Sequence, residues 1–292
     1  MVSVVVPCYQ SAGHIRTALR ALEAQRKAVS YEIVVVDSST DGTDGIVERE
    51  FPNVRLLHFA ERRTVGAARN IGVDAALGKL ILFVDSDTIP CSTWIEQMED
   101  ALLSGGADGV CGSMSNGTPW SVTGSIGFYL EFFRFLTHDG PPEPARLLVG
   151  GNSGYRREIV AGATYAEQSV GEDMLFSWRL AARGCRLLFV PRASVMHLNR
   201  KGWHTVVNYQ RQLGVGAYFY QCHQSPGKMR LLSAMPVLIL LMPFAVMFWI
   251  GWSILRRRRI ADLLRFVCTS PLCLVANAVW ARSFYMAMRQ AK

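Results

Sequence analysis

The run Leu80–Val84, LILFV, is apolar at every position and ends in Asp85-Ser86-Asp87-Thr88. A short run without alternation reads as a strand buried on both faces, the kind found in sheets covered by helices. Asp85 and Asp87 are spaced i, i+2, so on an extended chain both carboxylates point the same way. The carboxyl end of a strand in an open α/β sheet is also where ligands collect. Two acids aimed at one spot repel unless a cation lies between them. Hard oxygen donors suit Mg²⁺ or Mn²⁺, which complete their shells with water and phosphate oxygens. The competing reading is a strand that runs into an acidic, solvated turn, and the rest of the chain has to decide between the two.

Strands and helices alternate around this run. Val2–Pro7, Glu32–Asp37 and Val54–His58 read as strands, and 11–25, 44–51 and 65–76 as helices, with Ser11 a plausible N-cap. Beyond Val84 the pattern predicts a helix over 93–104 with Thr93 and Glu96 as a capping box, and a strand over 108–111. Further on it predicts a helix over 155–161, one over 172–183, and strands over 187–191 and 193–196. Such alternation predicts an α/β fold, a mostly parallel sheet with helices on both faces.

The loops at the strand ends narrow the ligand. Pro7-Cys8-Tyr9-Gln10 stands where a dinucleotide-binding domain would carry G-x-G-x-x-G, which disfavours that class. Asp37 closes the second strand, where an acid can accept hydrogen bonds from a base or ribose. Three strand ends would thus turn polar groups toward one crevice.

Charge separates the chain into two parts. From Arg200 onward there are 13 Lys/Arg and one acid, Asp262, leaving 18 basic and 22 acidic residues before it. The basic stretch is also apolar: Leu231–Leu255 is 25 residues without a charge, long enough to cross ~30 Å of hydrocarbon at 1.5 Å per residue, although Pro236 and Pro243 would bend it. Phe266–Ala281 offers 16 more between Arg265 and Arg282. Were the first run to span from a cytosolic domain, Arg256–Arg259 would land outside, against the positive-inside preference, so a hairpin returning them to the cytosolic face is favoured. Membrane lipids are therefore expected partners. The aromatic run Ile126–Leu136 is either core or a lipid- or acceptor-facing helix. Nucleic acid is not expected, because the arginines are interleaved with apolar runs too long for a groove-binding module. Seven scattered cysteines without C-x-x-C read as reduced thiols. With no basic segment before the Val2–Val6 strand, the catalytic part is expected in the cytoplasm, at the cell membrane.

The segments VVVPCYQ, VVVDSSTDGT, VGAARNIGVDAALGKLILFVDSDT, GGNSGYRREI and GEDMLFSWRLAARG, in this order, resemble the family 2 glycosyltransferases of GT-A fold over about residues 1–225. The resemblance implies a nucleotide-sugar donor, UDP-linked first and GDP-linked second, a divalent cation (Mg²⁺ or Mn²⁺) held through the D-x-D, and transfer with inversion. It places Pro7, Tyr9, Asp37, Gly66, Arg69, Asp85, Ser86 and Asp87 around the nucleotide sugar, with Asp37 reading the base, Asp85 near the ribose and Asp87 on the metal. Gly151 and Asn152 resemble the loop under the donor and acceptor sugars, and Glu172 and Arg211 belong with that half of the site. Asp173 matches the general base that takes the acceptor hydroxyl's proton. His197 matches a histidine that completes the metal shell with Asp85 and Asp87 or contacts the donor phosphates.

Tyr209-Gln210-Arg211-Gln212 is loosely similar to the Q-x-x-R-W of polysaccharide synthases, but Leu213-Gly214 replaces the last pair, which favours single addition over processive synthesis. The expected division is 1–112 for the nucleotide half, 113–225 for the acceptor half, and 226–292 for a membrane-associated helical tail. Two other classes were weighed. A haloacid-dehalogenase-like phosphatase also carries D-x-D at a strand end, but Ile89 replaces its Thr or Val and the motif falls on the fourth strand. A membrane-anchored nucleotide-sugar binder without catalysis would have no use for Asp173.

Overall fold

The computed structural model describes residues 1–26, 30–167 and 170–290. Its first element, β1 (Val2–Cys8), is buried along its whole length. Helix α1 (Ile15–Glu23) buries Ile15, Ala18, Leu19 and Leu22, the i, i+3, i+4, i+7 stripe of the sequence. The expected N-cap is not Ser11: the helix begins four residues later behind His14, and the Ser11 hydroxyl is bonded elsewhere. Then follow β2 (Tyr31–Asp37), α2 (Thr43–Glu50), β3 (Arg55–His58) and α3 (Val65–Ala75), the last capped by Thr64, whose hydroxyl accepts from the Ala67 amide. The central run is β4 (Leu80–Val84), buried at every residue, followed by the short β5 (Thr88–Pro90) and α4 (Trp94–Leu103). Thr93 precedes α4 but makes no side-chain cap, so the capping box is a sequence pattern only.

The strand expected at 108–111 runs on as β6 (Gly109–Asn116), before α5 (Val122–Phe132) and the two-residue β7 (Glu143–Pro144). The helix expected over 155–161 is corrected: Asn152–Arg156 is a strand, β8, and only Arg157–Ala161 is helical, α6. Gly154 explains this. A Cβ there would lie 2.4 Å from the Leu82 side chain, so the bare backbone is what lets β8 lie against β4. Next come α7 (Glu172–Ala182) and β9 (Leu187–His197), which passes through Pro191 and Arg192 without the expected break.

The strands form one sheet in the order β3-β2-β1-β4-β8-β6-β9-β5, with β7 on β9. The run β3-β2-β1-β4 is parallel, and β8 then enters antiparallel on β4 with Val84 opposite Asn152. The carboxyl ends of the parallel strands and the start of β8 therefore share one edge. Helices pack on the sheet to complete an α/β architecture, Trp94 of α4 being fully buried.

By packing, the chain separates into two units, residues 1–115 with 137–198, and residues 116–136 with 199 onward. This differs from the expected division at 225. Helix α8 (Trp203–Gln224) lies in the second unit, because it packs on α11 (Ile260–Gln290) so closely that a Cβ on Gly214 would meet the Trp280 carbonyl at 2.3 Å. The second unit also holds α9 (Pro226–Ala234) and α10 (Leu238–Arg256). The 25-residue uncharged run is thus split between two helices by Met235-Pro236-Val237, because proline cannot continue the first. Two helices, α10 and α11, are long and apolar enough to cross a membrane. Asn277 of α11 donates to the Pro243 carbonyl of α10 (3.3 Å). Helix α5 is core in this unit, with Ile126, Phe128 and Tyr129 buried.

Gly112 gives a direct test of the sheet packing. A Cβ there would lie 1.8 Å from the Ala193 carbonyl and 2.5 Å from the Asn152 amide, whereas one on Gly13 meets nothing within 4 Å. Thermal unfolding of Gly112→Ala is expected to show a loss of about 1–3 kcal/mol, and Gly13→Ala a change within about 0.5 kcal/mol.

Candidate active site

Four chain segments meet at the shared sheet edge of the first unit. After β4, Asp85 turns the chain: its carbonyl accepts from the Thr88 amide (3.1 Å) and hydroxyl (2.7 Å). The same turn aligns β5 with β9, pairing Thr88 with His197, while the Leu198 amide donates to the Asp87 carbonyl (2.8 Å). Asp87 Oδ1 and His197 Nε2 are consequently 3.6 Å apart, with the histidine nearly buried. Residues 110 positions apart in sequence are thus joined by strand register.

Arg69 is the hub. Its side chain is 2% exposed, donating through Nη1 to Glu172 Oε1 (2.6 Å) and through Nη2 to Asp85 Oδ1 (3.1 Å), over the Tyr165 ring at 5.4 Å. Burial alone would lower the arginine's pKa, but the Asp85 and Glu172 carboxylates together raise it above the ordinary value. Burial pushes Glu172 up to about 7, with Asp173 adding and Arg69 opposing. It raises Asp85 too, again against Arg69 and with help from Asp87. Tyr165 stacks on Phe176 with ring centroids 4.0 Å apart and so floors the arginine.

The two-glycine loop before β8 exists for this cluster. A Cβ on Gly150 would lie 2.7 Å from the Arg69 guanidinium nitrogens, and one on Gly151 would lie 2.2 Å from Asp85 Oδ2. The Gly150 amide donates to Asp173 Oδ2 (2.9 Å), while Asp173 Oδ1 accepts from the Met174 amide (2.8 Å). Asp85 and Asp173 are therefore both fitted against one dipeptide. Gly66 is needed for a neighbouring approach, since its Cβ would collide with the Ala166 carbonyl at 2.2 Å.

Other expected residues take different places. The Asp37 carboxylate is fully enclosed: Oδ1 accepts from the Ser39 amide and hydroxyl, and Oδ2 lies 2.7 Å from His58 Nδ1. Asn152 is also closed, its Oδ1 accepting from Trp94 Nε1 (2.7 Å) and its Nδ2 donating to the Ser113 and Ala193 carbonyls. Pro7 is buried inside β1, and Ser86 shares a hydrogen bond with Ser11 (2.8 Å). Tyr9 stands out at the end of β1, 44% exposed, with the Arg62 guanidinium 4.5 Å over its ring. Arg211 belongs to the second unit, where it donates to Asn208. Sequence reasoning missed His58, although in parallel register it stands directly opposite Asp37. It also missed Tyr165 and Trp94, for which the sequence offers no signal.

Among the described residues no three His, Cys, Asp or Glu side chains gather into a ready-made metal site. Asp87 and His197 make a carboxylate-imidazole pair, a donor set compatible with Mn²⁺ when water or phosphate oxygens fill the other positions. Asp85 is committed to Arg69 through one oxygen.

The comparisons agree with this geometry. The family model described as "Glycosyl transferase family 2" matches residues 3–162, and the chain belongs to that family. The glycosyltransferase AglE of Haloferax volcanii is 34% identical over 118 residues, 39% of this chain and 39% of that protein. The pre-mycofactocin glycosyltransferase of Mycobacterium tuberculosis is 27% identical over 213 residues, 68% of this chain and 43% of that protein. The matched part spans about a third to two fifths of the length of the first relatives. Among solved structures, a mannosyltransferase from Pyrobaculum calidifontis in complex with GDP-Man and Mn²⁺ superposes with a TM-score of 0.63 at 19% identity, over 99% of this chain and 85% of that one. TarS 1–349 from S. aureus with UDP-GlcNAc gives 0.55 at 20% identity, over 100% and 92%. The fold is that of the GT-A enzymes.

The ion cluster has a measurable signature. Arg69→Met should cost about 3–5 kcal/mol in thermal unfolding, because the buried Glu172 and the part-exposed Asp85 lose their counterion. Arg69→Met/Glu172→Met should recover a large part of that loss, and strict additivity of the two single changes would contradict the coupling.

Proposed function

We propose that this chain is an inverting, metal-dependent glycosyltransferase that moves a sugar from a nucleotide-sugar donor to an acceptor hydroxyl, with Asp173 as the general base. The observation that carries this reading is the Gly150–Gly151 loop, which sets Asp173 on one side and Asp85 on the other. A carboxylate able to take a proton is thereby fixed next to the carboxylates that face the donor. The haloacid-dehalogenase-like alternative falls with the family match over residues 3–162.

The residues divide the work. Asp87 and His197 would hold the cation, which when bound offsets the charge of the departing diphosphate. Tyr9 offers an exposed ring against which a base can stack, while Asp37 acts through His58 and Ser39 to shape that end of the crevice. The amides of Gly150 and Met174 fix the orientation of the Asp173 carboxylate and leave it lone pairs for the acceptor's proton. Arg69 and Glu172 keep Asp85 in place from behind. One base suffices, since the leaving diphosphate needs no proton.

UDP-sugars come first among donors and GDP-sugars second, an order that rests on the family resemblance; the two structural neighbours carry one ligand of each kind. Single addition is favoured over processive synthesis. Helices α10 and α11 would attach the chain to the cytosolic face of the cell membrane as a hairpin. Its Arg256–Arg259 turn is tied to the residues just past α5, with Arg257 donating to the Arg134 carbonyl (2.9 Å), and Tyr129 of α5 donates to Asp262 of α11 (3.2 Å).

A panel of UDP- and GDP-sugars, assayed for hydrolysis and transfer with and without Mn²⁺, identifies the donor. With that donor, Asp87→Ala should abolish the metal-dependent part of nucleotide binding in calorimetry while the melting temperature is kept. Asp173→Asn should leave donor affinity within a few-fold and slow transfer by a factor on the order of 10²–10⁴. If Asp173→Asn transfers at the wild-type rate, the acid only caps α7 and the reading as a base is wrong.

A further inference from the structure

Helices α8 and α11 line an open groove of about 690 Å³ in the second unit. The lining runs Arg211–Val215–Phe219 on α8 and includes Arg282–Met286–Gln290 on α11, with Val279 one turn before Arg282. Gly214 touches α11 at Trp280 and Ser283, so Arg211 and Arg282 both stand within about one turn of this crossing. Both arginines line the same groove. Val215, Phe219 and Met286 are apolar and exposed, at 38%, 50% and 46%. Among the described residues no acid lines the groove, and Arg211 donates to the neutral Asn208. The single acid beyond Arg200, Asp262, is already held by Arg259, Arg265 and Tyr129.

We propose that this groove binds the phosphate headgroup of an anionic lipid, with Arg211 and Arg282 on the headgroup and Val215, Phe219 and Met286 along the first acyl carbons. Charge complementarity selects an anion, and planar guanidiniums suit phosphate oxygens. The apolar wall selects one that carries a hydrocarbon chain. Arg282 ends the uncharged run Phe266–Ala281, the point at which an apolar helix comes level with headgroups and an arginine reaches toward them. The proposal rests on the membrane reading of α10 and α11, but not on the transfer reaction.

The test uses the full chain in a neutral detergent, with phosphatidylglycerol or phosphatidylcholine added at equal mole fraction and retained lipids counted by native mass spectrometry. The wild-type chain should retain one phosphatidylglycerol in preference to phosphatidylcholine. Arg211→Gln/Arg282→Gln should weaken that preference on the order of 10-fold or more. Met286→Trp, which fills the groove and keeps both arginines, should lower retention of the same lipid, so the result does not depend on one variant folding. Millimolar inorganic phosphate should not displace the lipid. An unchanged preference in both variants, or full competition by inorganic phosphate, would overturn the proposal. Release of the untreated chain from membranes by salt would count against the membrane reading alone, because lipid retention is measured in detergent.

Discussion

One buried cation organises the active edge of this protein. Arg69 is placed by α3 beneath the carboxyl ends of the parallel strands, where it meets Asp85 from β4 and Glu172 from α7. An arginine buried without partners would cost several kcal/mol, and so would the buried Glu172 carboxylate, while the part-exposed Asp85 supplies the second counter-charge. These pairings tie three elements distant in sequence into one rigid support. Gly150 and Gly151 lack side chains because the guanidinium and the Asp85 carboxylate occupy that space. The loop they form is what carries Asp173. The position of the proposed base thus follows from the need to neutralise a charge behind it.

Much of this was legible in the sequence. Apolar runs ending in acids identify strands, and parallel order brings their ends together, so the meeting of Asp85 and Asp87 with His197 follows from pattern and family resemblance. What pattern could not supply was whether a polar side chain faces the crevice or closes on its own scaffold. Asp37 and Asn152 are both strand-end residues of the right type, yet each is saturated by neighbours that only tertiary packing provides: His58 and Ser39 for one, Trp94 and two carbonyls for the other. Strand β8 was misread for a related reason. Asn-Ser-Gly-Tyr-Arg has no alternation because Gly154 is set by contact with Leu82 and not by solvent.

The basic, apolar end of the chain obeys different rules. Helices α10 and α11 expose large side chains such as Phe244, Phe248, Trp252, Leu264 and Val267, a surface that water would penalise and a bilayer would not. Two buried polar groups of α11 are answered inside the unit: Asp262 is shared among Arg259, Arg265 and Tyr129, and Asn277 donates to the Pro243 carbonyl. The same economy appears around Arg69, where each buried charge has a named partner. Pro236 stands at the break between α9 and α10, whereas Pro243 lies inside a continuous α10, and the assignment of α8 to the same unit rests on Gly214, whose role is visible only in packing.

The proposed role of the edge held by Arg69 is to present Asp87 and His197 to a cation and a nucleotide diphosphate. Crystals grown with Mn²⁺ and UDP, measured at a wavelength where manganese scatters anomalously, put that role to the test. An anomalous peak bonded to Asp87 and His197, with diphosphate oxygens completing its shell, is expected. Nucleotide bound at this edge with no manganese, or manganese bound away from both residues, would contradict it.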